Sequence, residues 1–278
     1  MTIIGQKKLL SRIDHLIDSN NFPRYSIIQG AEGGGKKLIA SYIAKQLDAT
    51  FVPCELGVDS VREVIELSYE QTSPMVYMWA DANKMSLGAK NAVLKVTEEP
   101  PQNAYFIMTV DNVNSLLGTL LSRGTLFNLN PYTPEELLEF ATMKLPDLTP
   151  TELDSIVNIS TTPKDVMDLS EMDVKQFHKV VNALCECIGN ANLANMLKVS
   201  TFLRYKDDDT DKYDPVLFLR ACMFKLLQLF LDTKNPGYSK LISLTSTYLA
   251  DLSSKSLNKV ATVDSWIMDM HMAFSEEV

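Results

Sequence analysis

The sequence predicts an α/β domain built on a parallel sheet, followed by an all-α region, and three observations carry this. A glycine-rich turn, Gly30-Ala31-Glu32-Gly33-Gly34-Gly35-Lys36-Lys37, stands between a short apolar run and a helical pattern. From there to about residue 130, β-prone apolar runs alternate with amphipathic segments. That alternation gives parallel strands covered by helices on both faces, with ligands at the strand C-terminal ends. From Thr133 onward the segments read as helices only.

Residues 6–18 place Leu9, Leu10, Ile13, Leu16 and Ile17 on one helical face, and Ser19-Asn20-Asn21 with Pro23 stop that helix. Tyr25 to Ile28 reads as the first strand, and Leu38 to about Leu47 as the helix after the glycine turn. Phe51-Val52-Pro53-Cys54 is a short strand, and 58–67 an amphipathic helix that Asp59 or Ser60 can cap. Met75 to Trp79 is the next strand. A helix from Ser86 turns Ala89, Val93 and Val96 inward and leaves Lys84, Lys90 and Lys95 outside, until Pro100-Pro101 ends it. Tyr105 to Val110 is a buried strand, 116–121 a short helix, and Leu126 to Leu129 the last strand.

Thr133-Pro134-Glu135-Glu136 combines a cap, a proline at the first helical position and acids in the first turn. Thr149-Pro150-Thr151-Glu152 and Thr162-Pro163-Lys164-Asp165 repeat the pattern, which predicts a small three-helix module. Longer helices follow over about 174–188, 190–204, 214–232, 236–253 and 256–274, with Lys206-Asp207-Asp208-Asp209-Thr210-Asp211 as a charged surface loop. The 214–232 helix is apolar nearly all round and should be buried in a bundle or against another subunit. The expected domains are 1–130, 131–173 and 174–278.

The chain has 278 residues, 46% hydrophobic and 22% charged, enough apolar material for two or three small cores. Val216 to Leu231 is its longest apolar segment, interrupted by Arg220, Lys225 and Gln228, and is too short to span a bilayer. Met1-Thr2-Ile3-Ile4-Gly5 has neither the basic start nor the apolar run of a leader. A cytoplasmic protein with no membrane partner is expected. Cys54, Cys185, Cys187 and Cys222 show no C-x-x-C spacing, so reduced thiols are expected and no zinc. The formal net charge of −9 argues against a protein that coats nucleic acid by bulk attraction, so any DNA contact would come from a local basic strip or from partner subunits.

The glycine turn fits a phosphate-binding loop (P-loop). Gly30, Gly33, Gly34 and Gly35 let the backbone curl so that N–H groups and a helix N-terminus point at one anion, and Lys36 reaches the outer phosphates. ATP or ADP is the expected ligand. The motif departs from a working nucleotidase at Lys37, where a Ser or Thr hydroxyl would hold Mg²⁺; an ammonium has three donors and no acceptor. After the Met75 to Trp79 strand, Ala80 stands where a first metal-holding acid belongs, and Asp81 is the single carboxylate left. Asp81 reads either as a catalytic acid or as a polar residue closing a strand.

Gly5-Gln6, the phosphate loop, Val76 to Met85, Phe106-Ile107-Met108-Thr109 and Leu120-Leu121-Ser122-Arg123 together resemble AAA+ clamp-loader ATPase subunits. The most specific piece is Asn91-Ala92-Val93-Leu94-Lys95-Val96-Thr97-Glu98-Glu99-Pro100-Pro101, similar to the family's N-A-L-L-K-T-L-E-E-P-P. The resemblance implies an AAA+ P-loop domain, a helical lid, and a C-terminal helical collar. It implies partners too: other clamp-loader subunits joined through the collar, a sliding clamp, and primer–template DNA. By position it implies Thr109 as the polar sensor, Arg123 as an arginine finger reaching a neighbour's nucleotide, and Lys164 near the lid's sensor cation. It also makes Lys84 and Lys90 candidates for DNA contact, against a reading as solvated lysines, and a surface arginine is the plain reading of Arg123.

The losses at Lys37 and Ala80 fall at the two places where the metal is gripped, a pattern that resembles the non-hydrolysing delta-prime subunit of bacterial DNA polymerase III. Gly124 replaces that subunit's usual Cys after Ser-Arg, and the cysteine-rich zinc module of bacterial loaders is absent between Leu47 and Val58. The expected function is a clamp-loader subunit that hydrolyses ATP weakly or not at all. Two alternatives stay open: a working Mg-ATPase using Asp81, or another AAA+ DNA-handling factor such as a helicase loader.

Overall fold

The computed structural model describes residues 3–188, 193–200, 214–254 and 258–275. The contacts divide the chain into two compact units, Met1–Phe140 with Thr161–Lys164, and Ala141–Ser160 with Asp165–Val278.

The first unit holds α1 (Lys7–Asp18), β1 (Tyr25–Gln29), α2 (Lys36–Gln46), β2 (Thr50–Cys54), α3 (Val58–Tyr69), β3 (Met75–Trp79), α4 (Leu87–Glu98), β4 (Ala104–Val110), α5 (Gly118–Leu121) and β5 (Thr125–Asn128). The five strands form one parallel sheet in the order β2-β3-β4-β1-β5. Successive side chains point to opposite faces, so each strand feeds two cores. Tyr25, Ile27, Tyr77, Trp79, Phe106 and Met108 face one side, where Val61 of α3, Ala89, Val93 and Val96 of α4, and Leu120 of α5 cover them. Ile28, Val76, Met78, Ile107 and Phe127 face the other, under Leu9 and Ile13 of α1 and Ile39, Ala40 and Ile43 of α2. The ring of Phe106 stacks between Tyr77 and Trp79, with centroids 5.5 and 5.6 Å away. The outer strand β2 carries Pro53, opposite Met78.

The sequence expectations for these elements are met with small differences. Ser86 caps α4 by accepting from the Ala89 N–H. Neither Asp59 nor Ser60 caps α3: Gly57 takes that position without a side-chain bond, and the Ser60 hydroxyl donates to Glu55. The expected 116–121 helix is shorter, because a 3-10 turn at Val113–Ser115, capped by the Asn112 side chain, uses the residues before it.

Helix α6 (Pro134–Lys144) opens as its sequence dictates: Thr133 accepts from the Glu136 N–H while Glu136 accepts from the Thr133 N–H. The second unit contains α7 (Pro150–Val157), α8 (Pro163–Ser170), α9 (Val174–Ile188), α10 (Leu193–Ser200), α11 (Pro215–Thr233), α12 (Pro236–Ser254) and α13 (Lys259–Ser275). Thr149 and Glu152 form the same reciprocal cap at α7. Phe177, Phe218 and Trp266 meet edge to face in the core, and the Trp266 indole donates to Thr245 at 3.0 Å. The first half of α11 is buried, whereas Leu227 and Leu231 are 43% and 54% exposed, so its apolar surface is covered only in part. The charged segment Lys206 to Asp211 lies outside the described residues, as does the expected extension of α10 to residue 204.

Gly124 is explained by its neighbours. A Cβ there would lie 2.7 Å from Ile27 Cδ1 and 2.9 Å from Tyr25 Cε1, both in the core. Gly124→Ala should therefore destabilise the protein by about 1–3 kcal/mol through overpacking, read as a lower urea midpoint with an unchanged slope.

Candidate phosphate-loop site

Strand pairing assembles the site. Gly30 follows β1 and donates its N–H to the Val110 carbonyl at 3.1 Å, which ties the start of the loop to the end of β4. Trp79 pairs with Met108, so the residues past β3 stand beside Thr109. The result is a cleft of about 630 Å³ lined by the loop from Glu32 to Leu38, by Ser41 and Phe51, and by Ala80, Asp81 and Thr109.

The loop backbone is left-handed at Gly33 (φ 74°) and Gly35 (φ 89°), a conformation that glycine adopts without a Cβ clash. Gly33 is also pressed from outside: a Cβ there would stand 2.2 Å from Lys164 Cβ. Lys164 donates to Glu32 at 3.2 Å, so this cation lies against the loop. Gly34 is anchored through its carbonyl, which accepts from the Tyr132 hydroxyl at 3.0 Å, and burial pushes the Tyr132 phenol pKa up. Helix α2 begins at Lys36 with no side-chain cap at Gly35, leaving its first-turn N–H groups directed at the cleft.

Lys36 is 7% exposed and its ammonium is fully used, donating to the carbonyls of Gly30 at 2.8 Å and Ala31 at 3.0 Å and to Asp111 Oδ1 at 2.5 Å. Lys37 is exposed on the next position of the helix. Asp81 has left-handed backbone (φ 51°), tolerated by a short polar residue. Its N–H donates at 3.0 Å to the hydroxyl of buried Thr109, and its carboxylate accepts from Lys84 at 3.2 Å. That bond holds the Lys84 ammonium pKa above its ordinary value.

Gly33, Gly35, Lys36, Lys37, Asp81 and Thr109 thus share one cleft, with Lys164 against its loop and Gly30 and Gly34 in its frame. Arg123 is not among the residues lining it: its guanidinium bonds Glu98 and the Thr119 carbonyl. Lys90, expected on an open face, donates to the carbonyls of Ser115 at 2.9 Å and Asn83 at 3.4 Å. Sequence reasoning missed Asp111, Tyr132 and Ser41, and of these Asp111 had a readable signal as an acid just past β4. It also left Gln6 without a role: the amide of Gln6 exchanges two hydrogen bonds with the backbone of Asn130, at 2.7 and 2.9 Å.

The donor set does not suit magnesium as a motor ATPase grips it. Lys37 presents an ammonium and Ala80 a methyl where oxygens would be needed, and the carboxylates nearby, Asp81, Glu32 and Asp111, already face lysines. Among the described residues, no group of three or more His, Cys, Asp or Glu side chains could hold a metal ion. The glycine loop, the α2 N-terminus and Lys36 do suit a phosphate chain.

Sequence comparison bears on the same residues. The family described as DNA polymerase III, delta subunit matches residues 55–133, which span β3, α4, β4 and the Ser122-Arg123 motif. The gamma subunit of DNA polymerase III from Buchnera aphidicola (Schizaphis graminum) is 29% identical over 169 residues, 50% of this chain and 47% of that one. The delta-prime subunit from Haemophilus influenzae is 35% identical over 94 residues, 32% of this chain and 28% of its own length. The chain is related to the AAA+ clamp-loader subunits. It spans about half the length of the gamma-type relative. A solved gamma-subunit-related protein of Thermotoga maritima superposes with a TM-score of 0.54 at 15% identity, over 96% of this chain and 99% of that one. That match carries the AAA+ fold through the helical region. The family match therefore covers both Glu98, at the end of α4, and Arg123, just past α5.

Thr109 supports Asp81 rather than facing solvent. Thr109→Val should leave the Asp81 N–H without its acceptor and cost about 1–3 kcal/mol, measured as a loss of unfolding free energy in urea.

Proposed function

We propose that this chain is a clamp-loader subunit of the DNA replication machinery, a cytoplasmic AAA+ protein that binds ATP or ADP without hydrolysing it. The carrying observation is that Lys37 and Ala80 line the same cleft as Lys36 and Asp81, so both lost metal ligands belong to one site. Lys36 and the α2 N-terminus bind phosphate oxygens, and the Lys37 ammonium supplies fixed positive charge on the same side. With no grip on a divalent cation, the transferred phosphoryl group lacks its main charge stabiliser, and binding is uncoupled from turnover.

In this reading 1–130 is the P-loop domain, 131–173 the lid and 174–278 the collar. Partner subunits join through the collar, and the assembled ring engages a sliding clamp and primer–template DNA. Leu227 and Leu231, exposed on α11, support the collar role. Arg123 is the finger offered to a neighbour: a guanidinium held by exposed Glu98 can exchange that carboxylate for a phosphate of similar geometry. Lys84, 67% exposed at its side chain, is the stronger DNA candidate, because its ion pair to Asp81 leaves donors open, whereas the Lys90 ammonium bonds two carbonyls of this chain.

Calorimetric titration of the chain with ATP and ADP, with and without magnesium, tests this directly. The expected result is the same affinity in both conditions and no phosphate release; robust magnesium-dependent turnover would overturn the reading. The double variant Lys37→Thr with Ala80→Asp should make nucleotide affinity magnesium-dependent by at least about tenfold, since a hydroxyl and a carboxylate restore hard oxygen ligands. In a loader reconstituted with its own partner subunits, Arg123→Ala should leave the ring assembled. Single-turnover hydrolysis at the adjoining site should fall by about a thousandfold.

A further inference from the structure

We propose that Asp111 is a built-in anion that holds Lys36 while the loop carries no phosphate, and that a polyphosphate ligand binds by displacing it. The proposal rests on the nucleotide-site reading above and names how that site is regulated. An ammonium has three donors, and those of Lys36 are spent on Gly30 O, Ala31 O and Asp111 Oδ1. The Lys36 side chain is 8% exposed and that of Asp111 42%, so a sealed cation is met by an acid that retains access to water. A buried ammonium without a counter-charge is costly, so this partner steadies the resting loop beyond what the two carbonyls supply.

The three acceptors are not equally replaceable. The two carbonyls belong to the backbone of the loop and leave only if the loop refolds. Asp111 lies one residue past β4, and its carboxylate can rotate into solvent without breaking a strand pair. An arriving phosphate oxygen therefore takes the place of Asp111. Two further forces act on the exchange. The displaced carboxylate remains near the new anion and repels it, and the fraction of chains with Lys36 released scales the apparent affinity. Both weaken binding, so only a ligand with enough phosphate charge to take over Lys36, a nucleoside diphosphate or triphosphate free of metal, binds where a nucleoside does not.

The test is calorimetric titration of the full chain with ADP in the absence of magnesium, for the unmodified protein and for Asp111→Asn, Lys36→Ala and the double variant. Asp111→Asn should bind ADP about ten- to hundredfold more tightly, because the hydrogen bond it weakens is charge-assisted. With Lys36→Ala already present, the same substitution should change affinity by less than about threefold. Asp111→Ala repeats the measurement with no hydrogen-bonding group, and circular dichroism melts establish that each variant is folded. Unchanged or weaker binding by Asp111→Asn, with wild-type binding still weakened by Lys36→Ala, overturns the exchange and leaves the nucleotide site standing. No binding by any variant at millimolar ADP overturns both. Failure of both Asp111 variants to fold also overturns the exchange, because a displaceable partner must be dispensable.

Discussion

A lysine ammonium taken out of water must be surrounded by oxygen, and in this protein that demand organises the end of the sheet. Lys36 finds two carbonyls in its own loop and a carboxylate beyond the neighbouring strand. The arrangement works because β1 lies beside β4 and because Gly33 and Gly35 supply the left-handed turns that fold the loop back over the side chain. The surroundings reinforce it: Tyr132 holds Gly34 and Lys164 presses on Gly33. The loop is therefore tied into the fold by its own hydrogen bonds.

At the same end of the sheet, the residues that face the cleft are backed by residues that belong to the core. Of the two positions that would touch the cation, Lys37 is exposed and Ala80 packs only at the margin of the core, whereas the residues behind them are fully buried: Ile39 and Ile43 on α2, and Trp79 on β3. Asp81 retains its unusual backbone because the hydroxyl of Thr109 accepts its N–H and Lys84 pairs its carboxylate. The residues that line the cleft and those that build the core behind it are thus largely separate sets.

Much of this was legible in the sequence. Strands such as Met75–Trp79 stood out because sheets covered on both faces give continuous apolar runs, and the caps at Thr133, Thr149 and Ser86 follow local hydrogen-bonding rules. Phosphate-loop residues were readable because their spacing is contiguous. Partners brought from far along the chain were not. Asp111 reaches Lys36 across 75 residues and Tyr132 reaches Gly34 across 98, separations no local pattern encodes. Lys90 looked free because helical spacing reports which face a residue occupies, not that a loop carbonyl at Ser115 will fold over it. Asp59 and Ser60 looked like caps, yet the chain entered α3 through Gly57 in extended geometry.

Pro53 has a consequence for how copies of this protein can meet. It stands in β2, the outermost strand on its side, where a free row of N–H and C=O groups would otherwise invite another chain to add a strand. A proline offers no N–H, so that margin is a poor template for cross-β growth. In crowded surroundings, such a border would favour recognition through side-chain surfaces over backbone zippering, and would guard against fibrillar aggregation.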